Sequence, residues 1–174
     1  MVAVHSMNIP VWFFTWTTWG TWLPGDSRGW NHRRQGNQNS RMALADWHRS
    51  RLSHAPCQFN SLHRAAIANA LTDHAQFRGW TIYLLTVRSN HVHLLVAANC
   101  EAQIVRDSLK ARSTRMLRIA FPQFINRPVW TRGGDLEAVS DEVAFEGIRR
   151  YILQHDGPED VFVNVPWTRG LFAH

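Results

Sequence analysis

Residues 80–98 decide the fold, and their sequence is WTIYLLTVRSNHVHLLVAA. Two apolar runs rich in β-branched and aromatic residues, 80–88 and 91–98, each indicate a strand. They flank the dipeptide Ser89-Asn90, which is typical of a tight turn. The pattern therefore predicts a β-hairpin made of two strands that are neighbours in the sequence.

Further elements flank this hairpin on both sides. Residues 11–18 are β-branched and aromatic, which indicates a strand. The spacing of apolar residues predicts one helix over residues 60–77 and another over residues 101–120. Pro122 follows the second helix, as a stop signal should. The hairpin is thus bracketed by two helices, with one more strand before them.

The last part of the chain supplies a short strand and a helix. The strand is expected near residues 128–131 or 136–139. Ser140 is a good N-cap for a helix that runs to about His155. The order strand, helix, strand, strand, helix, strand and helix predicts an α+β sandwich of the βαββαβ kind.

Length and composition limit the class of protein. The chain has 174 residues, which fits a single domain over residues 1–174. Residues 29–56 are polar and basic, and we expect them to form a partly ordered insertion. Two cysteines, Cys57 and Cys100, make neither a disulfide framework nor a CxxC zinc site. No apolar run approaches the roughly 18 to 20 residues that span a bilayer, and the N-terminus lacks a secretory pattern, so we expect a cytoplasmic protein.

The charge of the chain favours a nucleic-acid partner. The formal net charge is +6, and Lys110 is the only lysine among 19 basic residues. Arginine suits phosphate because its planar guanidinium forms two aligned hydrogen bonds. The arginine excess could also reflect only the base composition of the genome. Residues 26–54 and 101–120 are basic, whereas residues 133–160 carry eight acidic residues against two arginines.

The strongest candidate for chemistry is the pair His91 and His93 in the second strand of the hairpin. Strand alternation places both imidazoles on one face and the aliphatic residues of this strand on the other. Two imidazoles on a rigid strand are natural ligands for Zn, Mn, Fe or Cu, and can serve Mg when phosphate oxygens complete the shell. The alternative is a pair of half-exposed histidines without a ligand.

A second candidate lies on the last helix, where Tyr151 and His155 are one turn apart on the same side and Gln154 is close by. A phenol can act as a nucleophile, and nearby cations or a metal help it to ionise. Arg149 and Arg150 directly precede this tyrosine. His155 could be a third metal ligand. Tyr151 also belongs to an apolar stripe, so it could be a core residue instead.

Cations on the helix over residues 101–120 are candidates for phosphate contact. Arg106, Lys110 and Arg118 are spaced along this helix, with Arg115 beside them. Such a stripe could follow the backbone of a DNA strand. It could equally be an ordinary solvated surface.

Tryptophans in the first part of the chain fall into two groups. Trp12 and Trp16 share one face of the first strand and are expected in the core. Trp19, Trp22 and Trp30 lie in turn-rich sequence, where a base could stack on them at roughly 1–3 kcal/mol. Packing against the insertion is an equally good interpretation of these three.

Taken together, these segments resemble the HUH single-strand endonucleases, and more narrowly the Y1 transposases of the IS200/IS605 type and the REP-associated tyrosine transposases. Residues 90–96 (NHVHLLV) are similar to the metal motif of that family. Residues 14–25 (FTWTTWGTWLPG) resemble its opening strand and Gly-Thr turn, and residues 151–155 (YILQH) resemble its catalytic helix. The resemblance covers about residues 11–156, which is most of the chain.

The resemblance implies a ferredoxin-like βαββαβ sandwich with an antiparallel sheet and a C-terminal catalytic helix. It implies that His91 and His93 bind a divalent ion, typically Mg or Mn, and that Tyr151 attacks a phosphate of single-stranded DNA. The products would be a 5′-phosphotyrosine link and a free 3′-OH, and the reverse step would join strands without ATP. Family members include monomers and dimers, so a homodimer is one open arrangement.

One position departs from the family pattern. The third metal ligand of the family usually lies four residues after the tyrosine, as Gln or Asn. Here that residue is His155, and Gln154 precedes it. A site of three histidines would favour softer ions such as Mn or Zn over Mg, and Gln154 stays an alternative ligand.

We therefore predict a DNA-nicking and strand-transfer enzyme that acts on single strands near hairpins. One alternative is a domesticated or inactive relative that only binds structured single-stranded DNA. Another is a cytosolic metal-binding domain unrelated to DNA. The predicted DNA contacts are Arg33, Arg34, Arg106, Lys110, Arg115, Arg118, Arg149 and Arg150.

Overall fold

The structure is a computed structural model and describes residues 9–32 and 34–166. Its strands and helices are, in chain order, β1 (Val11–Thr17), β2 (Trp30–His32), β3 (Gly36–Gln38), α1 (Met42–Arg49), α2 (Ser61–Phe77), β4 (Thr81–Val87), β5 (His91–Ala97), α3 (Ala102–Ala120), β6 (Asp135–Val139), α4 (Glu142–His155) and β7 (Val161–Asn164). None of the described helices is long and apolar enough to cross a membrane.

Five strands form one antiparallel sheet in the order β6-β1-β5-β4-β7. The succession β1, α2, β4, β5, α3 and β6 is the βαββαβ arrangement of ferredoxin-like sandwiches. The predicted fold class is thereby confirmed. α4 follows this core, and β7 extends the sheet beyond β4, an addition that the sequence pattern does not indicate.

The predicted hairpin consists of β4 and β5, joined by Arg88, Ser89 and Asn90. β5 is the central strand of the sheet and is paired on both sides. Across these pairs, Thr86 of β4 and Thr15 of β1 both lie opposite His93. A residue in a strand paired on both sides has a fixed position, and His93 is such a residue.

Helices cover the two faces of the sheet unequally. α2 and α3 pack on one face, and the larger core cluster there includes Phe14, Leu94 and Leu109. α4 packs on the opposite face and closes a smaller cluster that includes Phe145 and Ile152. Because successive residues of a strand point to opposite faces, the three inner strands β1, β4 and β5 contribute side chains to both clusters.

The late strand β6 occupies the second of the two predicted places, since it covers residues 136–139. Trp130, in the first place, forms only an isolated bridge with Thr18. β6 pairs with β1 alone and lies at the edge of the sheet. Most of its residues are therefore exposed, which is why its sequence shows little apolar alternation.

Residues 29–56, the expected insertion, contain β2, β3 and α1. β2 and β3 form a small antiparallel pair in which Trp30 lies opposite Gln38. At the start of α1 the Arg41 N–H donates to the Gly25 carbonyl at 3.0 Å. Gly25 has a φ of +90°, and a Cβ there would collide with the backbone of α1, so this close approach requires glycine.

The start of α4 differs by one residue from the prediction. The N-cap is Asp141, whose carboxylate accepts a hydrogen bond from the Ala144 N–H at 2.8 Å. The Ser140 hydroxyl instead donates to the other carboxylate oxygen of Asp141 at 2.8 Å. A carboxylate also interacts favourably with the positive end of the helix dipole, so Asp141 is the better cap of the two.

Candidate active site

β5 holds His91 and His93 side by side on the face of the sheet that α4 covers. Their ring centroids are 4.8 Å apart. Nδ1 of His91 lies 2.7 Å from the side-chain oxygen of Asn90, and Nδ1 of His93 lies 2.9 Å from Oγ1 of Thr15. These hydrogen bonds occupy one nitrogen of each ring and orient it, which leaves Nε2 as the nitrogen for a metal.

Asp156 is the third member of this group. The candidate ligand atoms of His91, His93 and Asp156 all lie within 4.8 Å of one another. Asp156 directly follows α4, where the chain leaves the helix. We call these three residues the metal group, because two imidazoles and a carboxylate form a donor set for a divalent ion.

Buried oxygen atoms near the metal group indicate that a cation fits there. Oδ1 of Asp156 accepts a hydrogen bond from Arg88 at 2.9 Å. In the part of the chain that the structure describes, Oδ2 of Asp156 and Oγ1 of Thr86 are buried without a hydrogen-bond partner. An unsatisfied buried carboxylate oxygen costs at least about 1–3 kcal/mol, and a cation bound there would offset that cost.

Burial keeps the two imidazoles in the form that binds metals. Burial lowers the pKa of His93 to about 4, and the neighbouring charge of His91 lowers it further in the same direction. Burial also lowers the pKa of His91, while the carboxylate of Asp156 opposes that shift. Both rings are therefore neutral near pH 7, as a metal ligand must be.

The residue that the structure brings to His91 and His93 is Asp156, and the predicted ligand His155 lies outside this group. His155 is exposed, and its Nδ1 lies 2.7 Å from the Tyr151 carbonyl oxygen, so the ring stays at the end of the helix. Gln154, the alternative ligand, is also exposed. Helical spacing from Tyr151 could not reveal Asp156, because this residue lies outside the helix and its position depends on how the chain turns back.

Tyr151 is exposed on α4, with 57% of its surface accessible. Its ring centroid is 4.4 Å from that of His155. Tyr83, by contrast, is 5% exposed and packs edge-on against Phe145 at 5.3 Å. The interpretation of Tyr151 as a core residue is therefore wrong, and it is the accessible one of the two tyrosines.

Arg88, which the sequence analysis missed, connects the end of α4 to the sheet. Its Nη1 donates to the His155 carbonyl at 2.8 Å and to the Asp156 carboxylate at 2.9 Å. Its Nε lies 3.4 Å from a carboxylate oxygen of Asp160, which also pairs with Arg64. Arg88 therefore fixes the carboxylate of the metal group and the end of the tyrosine helix at once.

Several predicted DNA contacts bind the protein's own backbone. Nζ of Lys110 donates to the carbonyls of Thr131 and Gly133, each at 2.6 Å. Burial lowers the pKa of Lys110 to about 8. Arg118 donates to the carbonyls of Phe124 and Arg127 at 3.3 and 3.1 Å. These two cations hold the segment after α3 in place.

The other predicted DNA contacts differ in how free they are. Arg106 pairs with Asp107 at 2.8 Å and is mostly covered. Arg149 donates to Asn164 at 2.9 Å and pairs with Glu146 at 3.1 Å. Arg33 lies outside the described residues. The exposed members of the whole predicted set are Arg34, Arg115, Arg118 and Arg150, and of these Arg118 is already engaged with carbonyl groups.

The tryptophans divide much as the sequence suggests. Trp16 is buried in the larger core cluster, and Trp12 and Trp19 pack against that cluster. Trp22 is 41% exposed, and Trp30 is half-buried at the start of β2. Trp22 and Trp30 therefore border open space, in a cleft that Trp16 also lines.

Comparison with known proteins defines the class to which this fold and site belong. The model of the IS200-like transposase family matches residues 56–155, which is more than half of the chain. The chain belongs to the IS200-like transposase family. No curated protein gives a match.

Two solved structures are similar. A REP-associated tyrosine transposase bound to a REP hairpin has 12% identity and a TM-score of 0.48, and the match covers 89% of this chain and 73% of that one. A candidate transposase from Deinococcus radiodurans R1 has 19% identity and a TM-score of 0.45, with coverage of 84% and 91%.

Proposed function

We propose that the protein is a metal-dependent endonuclease and strand-transferase that acts on single-stranded DNA near hairpins. The observation that carries this proposal is the geometry at the end of α4. An exposed Tyr151 lies on the helix whose end brings Asp156 to His91 and His93. Membership of the IS200-like transposase family supports the same reaction class.

Tyr151 would be the nucleophile. Its phenolic oxygen forms a bond to the scissile phosphorus, and the bond from that phosphorus to the 3′ oxygen breaks. The phenolic proton passes to water, the 3′ oxygen takes up a proton, and the DNA 5′ end remains linked to the tyrosine. Attack by a 3′-OH reverses the step and joins strands, and no ATP is consumed because the phosphotyrosine conserves the bond.

The metal group would hold the divalent ion, with Asn90 and Thr15 keeping the two imidazoles in orientation. Bound there, the ion would polarise the phosphate and offset its developing charge. The mixed nitrogen and carboxylate set suits Mn and also Mg, because phosphate oxygens can complete the shell. Arg88 keeps the carboxylate turned towards the imidazoles.

Exposed cations would bind the DNA backbone. Arg150 is next to the proposed nucleophile, Arg115 lies on α3, and Arg34 lies between β2 and β3. Each neutralised phosphate releases counterions, so binding to hairpin DNA should weaken steeply as salt rises. Lys110 and Arg118 are already engaged with carbonyl groups and contribute less to this dependence.

The test is a covalent adduct with DNA. The substrates are hairpin oligonucleotides with single-stranded flanks, labelled in either the 5′ flank or the 3′ flank. Each is incubated with the protein and Mn or Mg, and the products are separated on a denaturing gel. The wild type and the control Tyr83→Phe should form the adduct, and Tyr151→Phe should not. An adduct with Tyr151→Phe would overturn the assignment, and salt-sensitive binding without any wild-type adduct would favour a relative that only binds DNA.

A further inference from the structure

A cleft of about 320 Å³ opens beside the metal group at the edge of the sheet. Its lining includes Trp22 and Trp30, the hydroxyl residues Thr15, Thr17 and Thr131, and the carboxylate of Asp135. We call it the tryptophan cleft. We propose that it binds one unstacked base of the DNA strand next to the reacting phosphate, with preference for a base that carries an exocyclic amino group. This inference rests on the proposed function.

The first support is the position of the cleft. Thr15 lines it and is also the residue whose Oγ1 lies 2.9 Å from Nδ1 of His93. Thr17 lines it too and lies opposite His91 across the pair of β1 and β5. The cleft and the metal group therefore lie on the same face of the sheet, on the neighbouring strands β1 and β5, which run about 4.8 Å apart. A nucleotide adjacent to a phosphate at the metal group has its base within reach of this cleft.

The second support is that Trp22 is exposed yet fixed. Its Nε1 donates to the Gly29 carbonyl at 2.7 Å. The guanidinium of Arg28 lies 4.7 Å from the centroid of its ring, and Asp26 holds that guanidinium at 2.7 Å. A rigid, exposed aromatic ring gives a stacking surface without the entropic cost of ordering a mobile side chain.

The third support is the polar edge of the cleft. The Thr131 hydroxyl donates to the Thr17 carbonyl at 2.9 Å, and the two hydroxyl oxygens are 2.8 Å apart. Asp135 adds an exposed carboxylate, which accepts hydrogen bonds and cannot donate when ionised. Adenine, cytosine and guanine carry an exocyclic amino group with two N–H donors for such an acceptor, whereas unpaired thymine offers only its single ring N–H. The edge therefore favours a base with an exocyclic amino group over thymine.

The size of the cleft limits its ligand. Pockets for small molecules usually range from about 300 to 1,000 Å³, so this cleft is at the small end. It suits one base between aromatic walls and not a stacked run of several bases. The recognition of single unstacked bases by aromatic rings and polar edges is common where sequence is recognised in single strands.

Stacking is tested with 2-aminopurine, a fluorescent base whose emission falls when it stacks on an aromatic ring. It is placed in turn at each single-stranded position beside the hairpin and mixed with Tyr151→Phe protein, which leaves the strand intact. We expect strong quenching of the fluorescence at one position. This quenching should be lost in the double variant that combines Tyr151→Phe with Trp22→Ala. The matched control is Trp47→Ala, since Trp47 is also exposed, at 49%, and lies under the guanidinium of Arg51.

Affinity measured for the same oligonucleotides tests the base preference. Trp22→Ala should weaken binding about 5- to 150-fold when the sensitive position carries adenine or cytosine, and little when that position is abasic. Asp135→Ala should remove the discrimination against thymine, whereas Glu137→Ala, on the same edge strand, should keep it. Equal affinity of wild type for all four bases at every position would overturn the proposed preference.

The two proposals fail in different ways. Quenching that is unchanged by Trp22→Ala, or absent at every position, overturns the cleft even if the wild type forms a covalent adduct. Absence of the adduct overturns the reaction, and the loss of quenching in Trp22→Ala then still supports a base-binding cleft.

Discussion

The two faces of the five-stranded sheet are built for different tasks. The face covered by α2 and α3 carries the larger apolar cluster, in which Phe14, Leu94 and Leu109 are fully buried. The opposite face has α4 alone, and its smaller cluster includes Phe145 and Ile152. The residues of the metal group lie on this second face, beyond the apolar contacts of α4.

Because α4 covers its face of the sheet only in part, polar side chains on that face can be partly buried and still reach a ligand. His91 and His93 are removed from water enough to lower the pKa of both rings, yet their ligand atoms and that of Asp156 lie within 4.8 Å of one another. A polar group on the fully packed face would instead have to be satisfied inside the core. The packed face therefore supplies stability, and the half-covered face supplies the site.

The largest expected effect is loss of metal binding when a ligand is removed from the half-covered face. His93→Gln should lower Mn affinity by more than about 100-fold, because removing a ligand costs more than removing a residue that orients one. The affinity is measured by titration, from the electron paramagnetic resonance signal of the free Mn ion. His74→Gln is the matched control, a half-buried histidine on α2, and it should bind Mn as the wild type does. Equal affinity of wild type and His93→Gln would refute the metal group.

The second prediction sets the two cores against each other. Leu109→Ala on α3 and Ile152→Ala on α4 each remove a fully buried side chain, so each should lower the free energy of unfolding by about 2–5 kcal/mol. Ile152 precedes Asp156 by one helical turn, so the substitution there should also weaken Mn binding. Unfolding in urea, with and without Mn, measures both quantities, since a bound ion stabilises only the folded chain.

The proposed difference between the two faces is contradicted if Mn raises the free energy of unfolding of both variants by the same amount. Leu109→Ala should gain the same stabilisation from saturating Mn as the wild type, because α3 packs on the opposite face of the sheet. Ile152→Ala should gain less at equal Mn concentration. Equal gains would mean that the end of α4 is held independently of its core contacts.

The parts of the fold that the sequence predicts are those with local causes. The hairpin of β4 and β5 follows from two apolar runs and a turn, and α2 and α3 follow from apolar spacing and Pro122. β6 and β7 lie at the edges of the sheet, where one neighbour is absent and exposed positions lose the apolar pattern. Edge strands therefore carry little information in the sequence itself.

The same limit applies to the candidate site, where only the part with a local cause is predictable from the sequence. Strand alternation alone brings His91 and His93 together, whereas the position of Asp156 depends on contacts between the end of α4 and the sheet, among them the hydrogen bond from Arg88. Whether a cationic side chain is free to bind a phosphate or is engaged by a backbone carbonyl depends on its neighbours in the folded chain, which the sequence does not show. Lys110 is such a residue, since its sequence position suggests DNA and its contacts are carbonyl oxygens.

The third prediction concerns Arg88 as a positioning residue. Arg88→Ala removes the donor to Asp156 and to the His155 carbonyl, and it should lower Mn affinity about 10- to 100-fold, as loss of a group that orients a ligand does. Arg88→Lys keeps the charge but not the planar fork, so it should recover only part of that affinity. Arg78→Ala, at the end of α2, is the control. A wild-type Mn affinity in Arg88→Ala would mean that Asp156 is held by other contacts.

The smallest expected effect is a pH dependence of the free energy of unfolding, and it comes from Lys110 on the packed face. Lys110 reaches from α3 to the carbonyls of Thr131 and Gly133 and thereby holds the segment that lines the tryptophan cleft. Burial lowers its pKa from 10.5 to about 8. Between these two values the unfolded chain keeps a proton that the folded chain has released, so the contribution of Lys110 to stability rises with pH through this window.

Urea unfolding of wild type and Lys110→Met from pH 7 to 10 measures this contribution. Near pH 7 the variant loses two hydrogen bonds and should be less stable by about 1 kcal/mol. The difference between the two proteins should grow as pH rises above 8. Burial also raises the pKa of Cys57 to about 11, but that thiol is present in both proteins and cancels in the difference. A difference that stays constant with pH would show that the ammonium is still hydrated and that the segment after α3 is held by Arg118 and its neighbours instead.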